Sequence, residues 1–394
     1  MHNSLPTAQN ILFVEGGLPS PYVDAGSLAN LELIMLLQSL GNQIYYLYTG
    51  HNPLGSQDAL IKAGCVLIDG SAMTRTQQEV ILKTHATHFA ILSRPGPALQ
   101  WIEILRACLI PTVYFGHDVH HERLIRAHAL NPTDSLQSYL IHKSIETYLW
   151  NMVDVVVYPT RWECDYAQKL SGRRHVVWMP IYDVEAICRL KSELPHRTKP
   201  LLRNHQQVSR LLFVGGSNHM PNLDGLLWFL EVVMPRLTVD IELNVVGKWH
   251  EEAQLRLQDA ANKYLGPISS MKMCGSVVPE VLLQHYADAD LVIAPLRFGA
   301  GLKRKVIEAL LLERPLLTTP AGVEGIDLSE VEKSYLSSDV DGKQFAQAMI
   351  QRLASSQDEN QKHSRVIANH VARLFSLEER LESLAKIFAI LKSS

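Results

Sequence analysis

The chain has 394 residues, 37 Lys+Arg against 40 Asp+Glu, and a formal net charge of -3. At roughly 100–200 residues per domain the length supplies two or three domains. A composition that is 47% hydrophobic and 20% charged excludes a disordered chain, and the balanced charge excludes a dedicated nucleic-acid binder, which needs a Lys/Arg excess to neutralise phosphates.

The first half alternates short apolar runs with helical spacing. ILFV (11–14) leads into Gly16 and Gly17, and residues 25–40 place Leu28, Leu31, Ile34, Met35 and Leu37 at helical intervals. IYYLY (44–48), VLI (66–68), FAIL (89–92), TVYF (112–115) and VVVY (155–158) follow, mostly separated by helical stretches, the pattern of a parallel sheet covered on both faces. Residues 192–209 are polar, aperiodic and contain two prolines, which marks them as a linker. A second alternating series comprises LLFVG (211–215), ELNVVG (242–247), MKMCG (271–275), LVIAP (291–295) and PLLTTP (315–320), with a helix from Pro221 to about Pro235 between the first two. Residues 377–391 form a terminal amphipathic helix. The expected architecture is α/β: two Rossmann-like, doubly wound domains facing a central cleft. The first spans 1–198, with the helix 376–394 packing back on it, and the second spans 199–375.

Five scattered cysteines form no C-x-x-C pair, no basic segment precedes the first apolar run, and no apolar stretch reaches the ~20 residues of a membrane span. These features predict a protein of the reducing cytoplasm without a transmembrane segment. Seventeen histidines, three of them in FGHDVHHER (115–123), raise the question of a metal. The H-x-x-H-H spacing lacks the i, i+4 pair of a helical zinc site and no second cluster adds ligands, so no metal is expected. His117 and Asp118 follow a strand's carboxyl end, where ligands of open sheets bind, and are catalytic candidates.

The most informative stretch runs from 287 to 326. Gly299 and Gly301 bracket Ala300 in a loop after an apolar strand, and a helix then opens with Lys303, Arg304 and Lys305. Lysines at a helix N-terminus oppose its dipole, so an anion explains them better than helix stability does. Lys305 and Glu308, three apart, are expected side by side, a cation for a diphosphate and a carboxylate for ribose hydroxyls.

The pattern G-x-G-x-K-x-K-x-x-E-A (299–309), followed by P-A-G-V-E-G-I (320–326), resembles the donor-site signature of GT-B glycosyltransferases, family 4 or group 1. LLFVGGSNHMPNLDGLLWFL resembles that family's strand, glycine loop and helix, and CGSVVPEVLLQHYADADLVIAPL its base-contacting turn and helix. VEGGLPSPYVDAGS resembles its first glycine loop. The resemblance implies donor contacts at Gly17, Gly216, Gly275, Val277, Gly301, Leu302, Lys303, Lys305, Glu308 and Glu324. Lys305 would hold the diphosphate and Glu308 the ribose, both acting in catalysis. It further implies sugar transfer from a nucleotide-sugar donor to a glycan, lipid or protein acceptor in polysaccharide or glycoconjugate biosynthesis. That transfer would proceed with retention and without metal or resident cofactor. Two departures stand out: Ala300 occupies a position where many relatives have a sugar-contacting glutamate, and residues 215–222 lack an arginine–lysine pair. A nucleotide-sugar epimerase on the same scaffold and a non-catalytic nucleotide-binding subunit remain alternatives, and an oligomer is compatible with either.

Overall fold

The computed structural model describes residues 8–20, 25–50, 55–130, 132, 136–194, 201–203 and 206–393. The chain divides into two compact units, Met1–Asp183 with Leu377–Ser394, and Val184–Ser376. The division falls at Asp183, ahead of the polar 192–209 stretch, because the helix Val184–Ser192 belongs with the second unit, where its Lys191 pairs with Glu313 at 2.5 Å.

Among the described residues, seven parallel strands build the first unit: β1 (Asn10–Glu15), β2 (Gln43–Tyr48), β3 (Val66–Asp69), β4 (Phe89–Ser93), β5 (Thr112–Phe115), β6 (Val155–Tyr158) and β7 (Val176–Trp178), in the order β3-β2-β1-β4-β5-β6-β7. The central strands are apolar on both faces, as helices on both sides require, and Ile11, Leu12, Phe13 and Val14 are fully buried. The short β7 carries too little pattern to read from sequence. Helix ends follow local chemistry. Thr74 and Gln77 form a reciprocal capping box at Arg75–Thr84, while Thr160 caps Arg161–Ser171, which closes on left-handed Gly172. The final helix, Leu377–Ser393, packs on this sheet, with Phe388 edge-on to Phe89 at 5.6 Å.

The second unit holds β8 (Leu201–Arg203), β9 (Gln206–Val214), β10 (Ile241–Val246), β11 (Ser270–Gly275), β12 (Leu291–Ala294) and β13 (Leu316–Thr318). Its parallel order is β11-β10-β9-β12-β13, with β8 antiparallel to β9. The linker expectation for 192–209 therefore fails at its end: β9 begins at Gln206, and β8 pairs with it, despite few apolar residues. Residues 195–200 lie outside those described. The helix begun at Met220 runs only to Trp228 and continues as a π turn, Phe229–Val233, and a 3-10 turn, Met234–Arg236. Phe229, Leu230 and Val233 are thereby buried against Leu211, Phe213 and Phe345. Both sheets thus show the doubly wound α/β architecture expected. No described helix is long and apolar enough to cross a membrane.

Candidate functional site

In the second sheet the winding reverses between β9 and β12, and in the first between β1 and β4. Ligands of open parallel sheets bind outside the strand carboxyl ends at such reversals. Each unit therefore has one favoured place for a site.

In the second unit, Gly215 and Gly216 follow β9. A Cβ on Gly216 would stand 2.4 Å from the Lys248 carbonyl oxygen, so the loops after β9 and β10 touch backbone to backbone and only glycine fits. Gly247 N–H donates to the Gly275 carbonyl at 2.8 Å, which ties the end of β11 to the same layer. The turn carrying Gly275 and half-buried Val277 then enters the helix Pro279–Asp288. After β12 the chain passes through buried Ala300 and reaches Gly301, whose φ of +69° turns it into the helix Arg304–Leu311. Lys303 is that helix's N-cap and is 5% exposed. Its ammonium donates to the Gly301 carbonyl at 2.6 Å and lies 3.8 Å from Glu324. Leu302 is buried beside it.

Lys305 points back across the layer. Its Nζ donates to Asn222 Oδ1 at 2.5 Å, sits 4.2 Å from the centre of the Phe213 ring, and lies close to Gly215. Asn222 is itself fixed, donating through Nδ2 to the Gly216 carbonyl at 2.8 Å. Burial, reinforced by the neighbouring Lys303 charge and only partly offset by Glu308, pushes the Lys305 ammonium down to about 7. Two cations are thus held together at the β9/β12 reversal, one of them hydrogen-bonded to a neutral amide.

Glu308 lies near enough for its charge to act on Lys305, as their spacing leads one to expect, but its hydrogen bonds go elsewhere. Its Oε1 accepts from Arg304 Nε at 2.7 Å, one helical turn back, and its Oε2 accepts from the Tyr286 hydroxyl at 3.1 Å. The i, i+4 pair wins because Lys305 is directed toward Asn222. Arg297, another basic residue of the loop, is engaged by Asp224 through both Nε, at 2.8 Å, and Nη2. Asp288 and Asp290 bracket the start of β12. Asp290 accepts from the Arg210 backbone N–H at 2.7 Å and Asp288 lies 3.8 Å from its guanidinium, as a helix-to-strand boundary would have it.

In the first unit the reversal is acidic. Glu15 ends β1 and is 5% exposed. Its carboxylate accepts from Asn30 Nδ2 at 2.5 Å, the Ser93 hydroxyl at 2.7 Å and the Gly16 N–H at 2.7 Å, with Arg94 at 3.7 Å. Ser93 Oγ also lies 3.0 Å from His117 Nε2. Gly17, next in the loop, offers its carbonyl to Tyr46 at 2.7 Å. His117 thus belongs to a buried network rooted in three strand ends. Asp118 turns away from it, pairing with Arg123 and lying 3.3 Å from His120 Nδ1.

The remaining histidines of the cluster serve packing. His121 and Glu146 are both fully buried and meet at 2.6 Å, and His121 Nε2 reaches the Tyr166 hydroxyl at 3.0 Å. Despite the cost of burial, hydrogen bonds from His120 and His121 hold the Glu146 carboxyl down at about 2. Among the described residues no three His, Cys, Asp or Glu side chains converge as a metal site.

Sequence reasoning missed Glu15, Asn30, Ser93, Asn222 and Tyr286 as organisers. Two left a signal: Glu15 is the one charge closing a buried apolar run, and Asn222 belongs to the P-N pair after the glycine loop.

Residues 208–355 match the family model described as Glycosyl transferases group 1. A curated relative, an uncharacterized 44.6 kDa protein in the cps region of Klebsiella pneumoniae, is 29% identical over 132 residues. That match spans 33% of this chain and about a third, 34%, of the relative. Three solved structures align over nearly the whole chain. Sucrose-phosphate synthase from Thermosynechococcus elongatus has a TM-score of 0.73 at 13% identity, covering 98% of this chain and 99% of the other. A glycosyltransferase from Rickettsia africae has 0.70 at 16%, covering 99% and 100%. Anabaena HepE in complex with UDP-glucose has 0.69 at 12%, covering 97% and 100%. These likenesses establish the fold as that of the GT-B glycosyltransferases.

Proposed function

From a chain of GT-B fold whose residues 208–355 match the model of the group 1 glycosyltransferases, we propose an enzyme that moves a sugar from a nucleoside-diphosphate sugar to an acceptor. The second unit binds the donor at the β9/β12 reversal. Lys305 and Lys303 take the diphosphate, the glycine-loop amides line its approach, and the turn at Gly275 and Val277 meets the base. Glu308 accepts hydrogen bonds from the ribose, and Glu324 and Leu302 border the sugar.

The observation that carries this reading is Lys305, held beside a second cation with a neutral asparagine as its hydrogen-bond partner. Such an arrangement is costly in the empty protein, and an arriving dianion reverses the cost. The same charges stabilise the diphosphate as it leaves, a preorganised electrostatic contribution that needs no metal ion or resident cofactor. The first unit supplies His117 for a hydroxyl of the sugar or acceptor, and Asp118 orients the segment that carries it. Transfer proceeds with retention, and the acceptor is a glycan, lipid or protein met in the cytoplasm during polysaccharide or glycoconjugate synthesis. HepE, crystallised with UDP-glucose, makes UDP the first nucleotide to try.

Calorimetric titration with UDP, GDP and ADP tests the reading. One of them binds the wild type, and Lys305→Ala weakens it roughly ten- to a hundredfold, since a charge-assisted hydrogen bond contributes about 1.5–3 kcal/mol. Equal affinity in the mutant overturns the assignment. A second reading, a nucleotide-binding subunit without turnover, is favoured by buried Ala300, which brings no carboxylate to the donor loop. Nucleotide binding with neither transfer nor hydrolysis of any common nucleotide sugar would establish it.

A further inference from the structure

Glu308 is held from two sides by groups that no part of the reading above uses. The Tyr286 hydroxyl reaches Oε2 at 3.1 Å from the helix Pro279–Asp288, and Arg304 Nε reaches Oε1 at 2.7 Å from the first turn of Glu308's own helix. Tyr286 is 1% exposed, so its ring is set by packing rather than by solvent. Burial, with the adjacent Glu308 charge, raises the phenol well above its ordinary range, so it remains a donor at any working pH. Each carboxylate oxygen has two lone-pair sites. One donor fixed on each oxygen therefore does two things: it locks the carboxylate plane, and it leaves one acceptor site per oxygen. One free acceptor site on each of two neighbouring oxygens matches two adjacent hydroxyls rather than one.

We propose that Tyr286 and Arg304 are positioning residues that hold Glu308 as a two-point acceptor for a vicinal diol, making this site selective for ribonucleotides over 2′-deoxyribonucleotides. The inference rests on Glu308 facing the ribose. Selectivity arises because a deoxy ligand leaves one partly buried acceptor site unfilled, and a site built to bond a hydroxyl discriminates against its absence. An unclamped carboxylate rotates, satisfies a single hydroxyl equally well, and loses the discrimination while retaining ordinary affinity.

The experiment measures the affinity ratio of UDP to 2′-deoxy-UDP, with the GDP and ADP pairs alongside, in the full-length wild type, Tyr286→Phe, Arg304→Met and Glu308→Gln. Tyr286→Phe removes only the hydroxyl from a packed ring, and its fold is checked by thermal melting. The wild-type ratio is expected at about tenfold or more, the worth of one charge-assisted hydrogen bond. Tyr286→Phe should bring it to about threefold or less while diphosphate affinity stays within a few-fold, and Glu308→Gln should bring it close to unity. Arg304→Met should move the ratio in the same direction. A ratio lost in Glu308→Gln but unchanged in a folded Tyr286→Phe and in Arg304→Met overturns the clamp and leaves Glu308 as the ribose ligand. A ratio indifferent to Glu308→Gln overturns the ribose assignment itself. Failure of all three ribonucleotides to bind overturns both.

Discussion

The two sheets reverse their winding in the same way, yet the two reversals carry opposite charge. At β1/β4 a carboxylate, Glu15, is buried under donors from Asn30, Ser93 and Gly16. At β9/β12 two lysines are gathered, one bonded to Asn222. The first arrangement is satisfied by the protein itself; the second, in the function proposed here, receives an anion. Topology fixes where each site lies, and the residues at the strand ends decide what it is for.

Stability measurements sharpen this contrast, beginning with the self-satisfied charges of the first unit. Glu146→Gln, which removes the anion between His120 and His121, should destabilise by about 3–5 kcal/mol, the usual cost of breaking a buried pair, as read by chemical denaturation. The native carboxyl is depressed from 4.5 to about 2, so its contribution is fully present above about pH 4.5. That contribution fades as the pH falls toward 2. Acid unfolding of Glu146→Gln should therefore be flatter over that window than wild type, and identical slopes would contradict the pairing.

Ser93→Ala is the smaller perturbation. It strips one hydroxyl from between Glu15 and His117 and should cost about 1–3 kcal/mol. For a unit of this size that lowers the melting temperature by about 2–4 °C per kcal/mol. Nucleotide affinity should not change, because the proposed diphosphate ligands, Lys303 and Lys305, belong to the other unit. A loss of UDP binding in Ser93→Ala would break the separation between the two reversals.

Much of this was legible in the sequence, and the limits are physical. The alternating apolar runs revealed both sheets, and the loop before Arg304–Leu311 stood out because its glycines and lysines are local in the chain. Partners remote in sequence did not show: Asn222 meets Lys305 from a different strand–helix unit, and Tyr286 meets Glu308 across β12. Spacing alone put Lys305 beside Glu308, since it reports which residues share a helix face and not which competing partner a side chain takes. Arg304 and Asn222 were those partners. The β8–β9 extension was hidden in a polar segment whose pairing comes from backbone hydrogen bonds.

The central claim is that Lys305 awaits a diphosphate, and its depressed ammonium offers a direct readout. At pH 8 the group is largely neutral in the empty protein, while the phosphates of UDP are already fully ionised. Binding must then draw a proton onto Lys305, and affinity must fall as the pH rises above about 7. Titration of UDP at pH 8 in two buffers of different ionisation enthalpy measures that proton. The account predicts net uptake in the wild type, lost together with most of the affinity in Lys305→Ala. Binding without proton uptake, or uptake that survives in Lys305→Ala, would contradict it.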